Sequence, residues 1–92
     1  MFALTRLRPQ ASQVEALERD VEALVAALAA RPGFLGAEFG RSTEDVHTFG
    51  LLTRWDGVGS YRRALSAAEV KIAGAPVWVF AVDEPGVFVT DG

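Results

Sequence analysis

An α+β domain with the element order β-α-β-β-α-β is predicted by this 92-residue sequence, and three features carry the prediction. Two stretches place apolar residues at steps of three and four, the mark of helices with one buried face. The stretches around them alternate, or run apolar with β-branched and aromatic residues, as strands do. Pro32-Gly33, Asp56-Gly57 and Pro85-Gly86 stand at junctions where the chain must turn.

The first strand spans Phe2 to Arg8 and stops at Pro9, whose missing N–H makes it a poor strand interior. Ser12 precedes Glu15 by the three-residue spacing of a capping box, so the first helix starts there. Val14, Leu17, Val21, Leu24, Val25 and Leu28 form its buried stripe, and Arg31-Pro32-Gly33 ends it. Phe34 to Arg41 is the second strand, with Leu35, Ala37 and Phe39 on one face by strict alternation. A polar turn from Ser42 to Val46 leads into a third strand from His47 to Trp55, which pairs with the second as a hairpin.

After Asp56-Gly57, the residues Val58, Tyr61, Leu65, Ala68 and Ile72 mark a second amphipathic helix, with a possible break at Ser66 to Ala68. Gly74 and Pro76 close it, Val77 to Asp83 reads as the fourth strand, and Val87 to Thr90 as a short final one. The arrangement is ferredoxin-like, an antiparallel sheet with helices on one face.

Residues 1 to 92 form one domain, since the length suits a single core. Hydrophobic residues make up 50% of the chain and there is no cysteine, so neither a disulfide framework nor a thiolate metal site is expected. No stretch approaches the roughly 18 apolar residues of a membrane span, and the start lacks the pattern of a signal peptide. A soluble, cytoplasmic protein is the expectation. With a net charge of −3 and dispersed basic residues, nucleic acid is not an expected partner.

The fourth predicted strand is apolar on both faces, with Val77, Val79 and Ala81 on one side and Trp78, Phe80 and Val82 on the other. A solvated sheet face normally carries polar residues at alternate positions. Covering the second face with another copy of the chain is the simplest resolution, so a homodimer is expected.

The run Arg31-Pro32-Gly33-Phe34-Leu35-Gly36-Ala37-Glu38-Phe39, then Leu52-Thr53-Arg54-Trp55-Asp56, then Tyr61-Arg62, resembles the antibiotic biosynthesis monooxygenase family. The resemblance spans about residues 2 to 90. It implies the ferredoxin-like fold, two sheets paired into a dimeric α/β barrel, and oxidation of a small aromatic substrate by dioxygen without a cofactor. In the family's quinol monooxygenases a strand-end tryptophan and a tyrosine six positions later line the substrate cavity, and Trp55 and Tyr61 match them. Leu51 stands where those enzymes have an asparagine, and Lys71 approximates an arginine beyond the second helix. With Phe49 on the same strand face, these are the candidate substrate-binding residues. The haem-degrading branch has an asparagine, a tryptophan and a histidine ligand where this chain has Thr5, Ala64 and Gly74, which disfavours haem chemistry.

Triplet dioxygen reacts with singlet organic molecules through a spin barrier, which most oxygenases lift with a metal or flavin. No carboxylate–histidine cluster with ligand spacing and no dinucleotide fingerprint is present, so the substrate would have to supply the electrons, as an ionised dihydroxyaromatic can. The Trp55 N–H and Tyr61 hydroxyl suit the orienting of such a substrate. Both also fit a purely structural role: Tyr61 lies on an apolar helix stripe, and Trp55 shares a strand face with Phe49 and Leu51. Trp78 reads as core or interface, and His47, Arg62 and Arg63 as surface. A non-catalytic dimer that binds a small molecule or serves as an assembly module is the alternative from another class.

Overall fold

A computed structural model describes residues 1–90. The elements are β1 (Phe2–Leu7), α1 (Val14–Ala29), β2 (Phe34–Arg41), β3 (Phe49–Trp55), α2 (Val58–Ser66), α3 (Ala68–Trp78) and β4 (Val87–Phe88). The strands form one antiparallel sheet in the order β2-β3-β1-β4, the ferredoxin-like topology, with the helices against one face.

The entry to α1 differs from the expected Ser12–Glu15 box. Gln10 is extended directly after Pro9, and a single 3₁₀ turn (Ala11–Gln13) leads into the helix. The Gln10 backbone N–H donates to Gln13 Oε1 at 2.9 Å, so the bond forms two residues earlier at the same three-residue spacing. Leu17, Val21, Leu24 and Leu28 are then buried at steps of four, three and four, as the stripe predicts.

Strict alternation fails at the start of β2. Phe34 pairs with Trp55 but Gly36 pairs with Arg54, so Leu35 is an extra residue on this strand. The irregularity turns Phe34 onto the helix-covered face, edge-on to Trp55 at 5.2 Å between ring centroids, and leaves Leu35 66% exposed. Gly33 precedes it at φ 89°, a conformation that favours glycine. Beyond this point Phe49, Leu51, Thr53 and Trp55 of β3 are all buried, as the period of two requires. His47 lies in the preceding loop rather than in the strand.

The second predicted helix is two helices. Ala67 is extended, with φ −70° and ψ 137°, which ends α2 and starts α3 in a new register. The buried positions are consequently Ser60 and Ala64 on α2 and Val70, Gly74 and Val77 on α3, while Ile72 is 76% exposed. Gly74 and Pro76 do not close α3, which continues to Trp78. An interior proline removes one helical hydrogen bond, here to the carbonyl of solvent-facing Ile72. Packing of Val70, Gly74 and Val77 in the core outweighs that loss.

The strand expected over Val77 to Asp83 is therefore not formed. What remains of it is a bridge between Ala81 and Leu7, with the Val82 N–H donating to the Arg6 carbonyl at 2.8 Å. The edge beside β1 is completed by Val87–Phe88, shorter than the Val87 to Thr90 strand expected. With no strand over 77–83, there is no two-sided apolar strand for a partner to cover.

The sheet nonetheless has an apolar outer face, made from other residues. By the register, Phe2 and Leu4 of β1, Leu52 of β3 and Phe88 of β4 point away from the helices. Phe2 stacks on Phe88 at 5.1 Å. Ion pairs flank the patch, Arg6 with Glu84 at 2.7 Å and Arg54 with Glu38 at 3.2 Å. Among the described residues no helix is long and apolar enough to cross a membrane.

Candidate active site

The break at Ala67 positions the site. Extended Ala67 ends α2 and restarts the chain as α3, and a cavity of about 500 Å³ is lined by both helices and by β1. This is the usual size for a small-molecule site. Thr5 from the inner face of β1, Tyr61 and Leu65 one turn apart on α2, and Val70, Lys71, Ala75 and Trp78 of α3 line it.

Its chemistry is apolar with a few polar tips. Burial pushes the Tyr61 pKa above its ordinary value, because ionisation would place a charge among apolar groups. Tyr61 is thus a neutral hydroxyl at physiological pH. It has no hydrogen-bond partner among the described residues, and Lys71 is in no ion pair among them. No carboxylate or imidazole lines the cavity. The arrangement can donate to an oxygen-rich ligand and balance one negative charge; it offers no side chain suited to strong general-base work.

Trp55 lies behind this wall. It is 1% exposed, and its Nε1–H donates to Thr53 Oγ1 at 3.0 Å within the core. Its contact with the cavity runs through Tyr61, whose ring meets it at 5.9 Å and 62°. Leu51 is buried beneath the cavity floor, opposite Thr5 in the β1–β3 register. Phe49 is one inward-facing step further along β3, stacked on Phe39 at 5.6 Å with the Arg41 guanidinium 4.8 Å above it. The structure thus joins Tyr61 and Lys71 in one cavity, sets Trp55 and Leu51 in the adjoining core, and places Phe49 apart.

Thr5, Leu65, Val70, Ala75 and Trp78 complete the lining without having been candidates for it. Trp78 had a readable signal: Lys71, Gly74 and Trp78 are spaced three and four apart, one helix face, provided the helix is carried through Pro76. His47 is on the surface, its backbone N–H donating to Asp45 Oδ1 at 2.9 Å. That bond and one from the Thr48 hydroxyl hold the Asp45 carboxyl below its ordinary pKa. Among the described residues no three His, Cys, Asp or Glu side chains gather as a metal cluster.

Residues 1–74 match the family model of the antibiotic biosynthesis monooxygenases. The chain belongs to that family. Among solved structures, a mutant of SnoaB, a cofactor-independent oxygenase from Streptomyces nogalater, superposes with a TM-score of 0.84 at 19% identity, covering 99% of this chain and 92% of that one. A protein from Chloroflexus aurantiacus, provisionally assigned to the same family, gives 0.73 at 20% identity over 99% and 93% of the two chains. A conserved Methanosarcina mazei protein gives 0.76 at 13% identity over 94% and 84%. At these identities the likeness concerns the fold. No curated protein matches by sequence.

Proposed function

We propose that this antibiotic biosynthesis monooxygenase family member is a cofactor-independent monooxygenase that oxidises a quinol-like or polyphenolic aromatic with dioxygen, working in the cytoplasm as a homodimer. The observation that carries the reading is the cavity itself, an apolar slot with the free Tyr61 hydroxyl and the Lys71 ammonium at its polar edge. SnoaB, similar in fold, is a cofactor-independent oxygenase, which supports the same direction.

The chemistry balances without an external reductant. A hydroxyaromatic with a free ring position para to its hydroxyl takes one oxygen atom there and becomes a para-quinone. The second oxygen atom leaves as water with the two hydrogens lost from the ring carbon and the hydroxyl. All four electrons come from the substrate. The phenolate gives dioxygen the first of them, Lys71 balances the substrate's charge, and the Tyr61 hydroxyl donates to its oxygen as charge develops. Trp55 acts as a positioning residue, fixing the Tyr61 ring from behind.

The apolar outer sheet face supports the homodimer, since Phe2, Leu4, Leu52 and Phe88 form a patch that a second copy of the same face would cover. A non-catalytic binder is favoured by one observation, the engagement of the Trp55 N–H with Thr53 rather than the cavity. Oxygen uptake separates the two readings. Metal-free protein is given a panel of dihydroxynaphthalenes and anthrones, and quinone formation is expected to fall about 10²-fold in Tyr61→Phe. Saturable binding without oxygen uptake for any member of the panel would leave the binder.

A further inference from the structure

Lys71, Gly74, Ala75 and Trp78 fall on one side of α3, and of these Lys71, Ala75 and Trp78 line the cavity. Gly74 is buried between them, and the Trp78 indole leans back over it, as side chains on a helix lean toward its N-terminus. A Cβ on Gly74 would come within 3.1 Å of the indole carbons Cδ1 and Cε2 and closer still to Nε1. The glycine therefore allows the indole to lie along the helix as a wall, with the lysine two turns before it.

That geometry sorts ligands in two ways. A half-buried indole is a broad, polarisable surface that favours a planar aromatic partner by stacking and by excluded water. Lys71 places one positive charge at the edge of the same slot, and no lining carboxylate offsets it. A neutral apolar ligand would satisfy the wall and gain nothing from the lysine. An aliphatic anion would do the reverse.

We infer that Trp78 and Lys71 are the specificity-determining pair of this cavity, selecting a planar aromatic that carries an anionic oxygen group at one edge. The inference rests on the reading of the cavity as the substrate site, and extends it by naming the charge and shape of what enters.

The test uses two naphthalene probes and isothermal titration calorimetry on the intact protein. 1-Hydroxy-2-naphthoate has the planar ring and an anionic edge, and 1-naphthol has the same ring and neutral hydroxyl without the carboxylate. The naphthoate is expected to bind about fivefold more tightly, on the scale of one partly exposed ion pair. Lys71→Met abolishes that difference while leaving 1-naphthol unchanged. Trp78→Leu weakens both probes about tenfold or more, and Trp78→Phe, which keeps an aromatic wall, holds both within about threefold of the parent. Circular dichroism confirms that each variant is folded, and the Phe variant keeps the test informative if the Leu variant is not.

Equal affinity of the parent for the two probes, or affinities indifferent to Trp78→Leu, would overturn the inference. So would a Lys71→Met effect of equal size on both. Leu65→Trp, which fills the cavity from the α2 side, reports on the underlying reading: if both probes still bind as before, they bind elsewhere and the site itself is wrong. If Leu65→Trp abolishes binding while the Trp78 and Lys71 variants leave it unchanged, the site stands and only the selectivity inference fails.

Discussion

The rings of Trp55 and Tyr61 meet edge to face at 5.9 Å, with the Trp55 N–H engaged by Thr53 on the other side. The tryptophan is thereby tied into the sheet and the tyrosine is left facing the cavity. Trp55→Phe should accordingly act first on stability. It removes indole volume from a 1% exposed site and leaves the buried Thr53 hydroxyl without its donor, a loss of about 1–2 kcal/mol in urea unfolding. Affinity for an aromatic probe should change by less than about threefold. A large drop in affinity with stability intact would show that Trp55 reaches the ligand directly.

Tyr61 is the sole tyrosine, so its ionisation can be followed without ambiguity by ultraviolet absorbance. Burial raises its pKa above the ordinary value of 10.0. In the unfolded chain the phenol ionises at that ordinary value, so its contribution to stability is complete below about pH 10 and is lost as pH rises through the folded-state pKa. The expected titration has tyrosinate appearing later in native protein than in urea-unfolded protein. Tyr61→Phe should remove the corresponding alkaline fall in stability. Coincident native and unfolded titrations would mean that the hydroxyl is solvated.

Periodicity is a sufficient guide to burial wherever the backbone keeps its phase. It sufficed for α1, where Leu17, Val21, Leu24 and Leu28 face the core as their spacing requires, and for β3. It failed where backbone geometry resets the phase. Leu35 adds one residue to β2 and reverses the facing of Phe34, and extended Ala67 shifts the stripe from Ile72 to Val70, Gly74 and Val77. From Val77 onward the residues are apolar and β-branched without a period, and such a run fits a helix or a strand equally well. Only packing of α3 in the core decides it, and the cavity wall at Trp78 was hidden by the same ambiguity. Tyr61 was legible because α2 keeps its phase from Val58 to the break.

Gly33→Ala should be markedly destabilising. Gly33 has φ 89°, and a Cβ there would run into the side chains of Ser60 and Asp56, at the place where α1 hands the chain to β2. Left-handed strain alone is worth about 1–3 kcal/mol, and displacement of the buried Ser60 adds to it. Gly57→Ala is the control, since Gly57 has ordinary extended backbone at φ −176° and open space around its would-be Cβ. It should cost no more than about 1 kcal/mol in chemical denaturation, the loss of a glycine at the α2 N-cap, and clearly less than Gly33→Ala.

The outer sheet face gives a prediction about assembly. Leu4 and Leu52 are opposite each other in the β1–β3 register at the centre of the apolar patch, with Phe2 and Phe88 beside them and the Arg6–Glu84 and Arg54–Glu38 pairs at its rim. Leu52→Glu sets a carboxylate in that centre, where a dimer interface would have to strip its water without supplying a partner, a penalty of several kcal/mol, or about 10²-fold or more in the dimer dissociation constant. Analytical ultracentrifugation should show a dimer for the parent at micromolar concentration and a monomer for Leu52→Glu. Ile72→Glu, on the helix side and 76% exposed, should sediment as the parent does. A parent that sediments as a monomer, or dissociation by Ile72→Glu in place of Leu52→Glu, would move the contact away from the sheet.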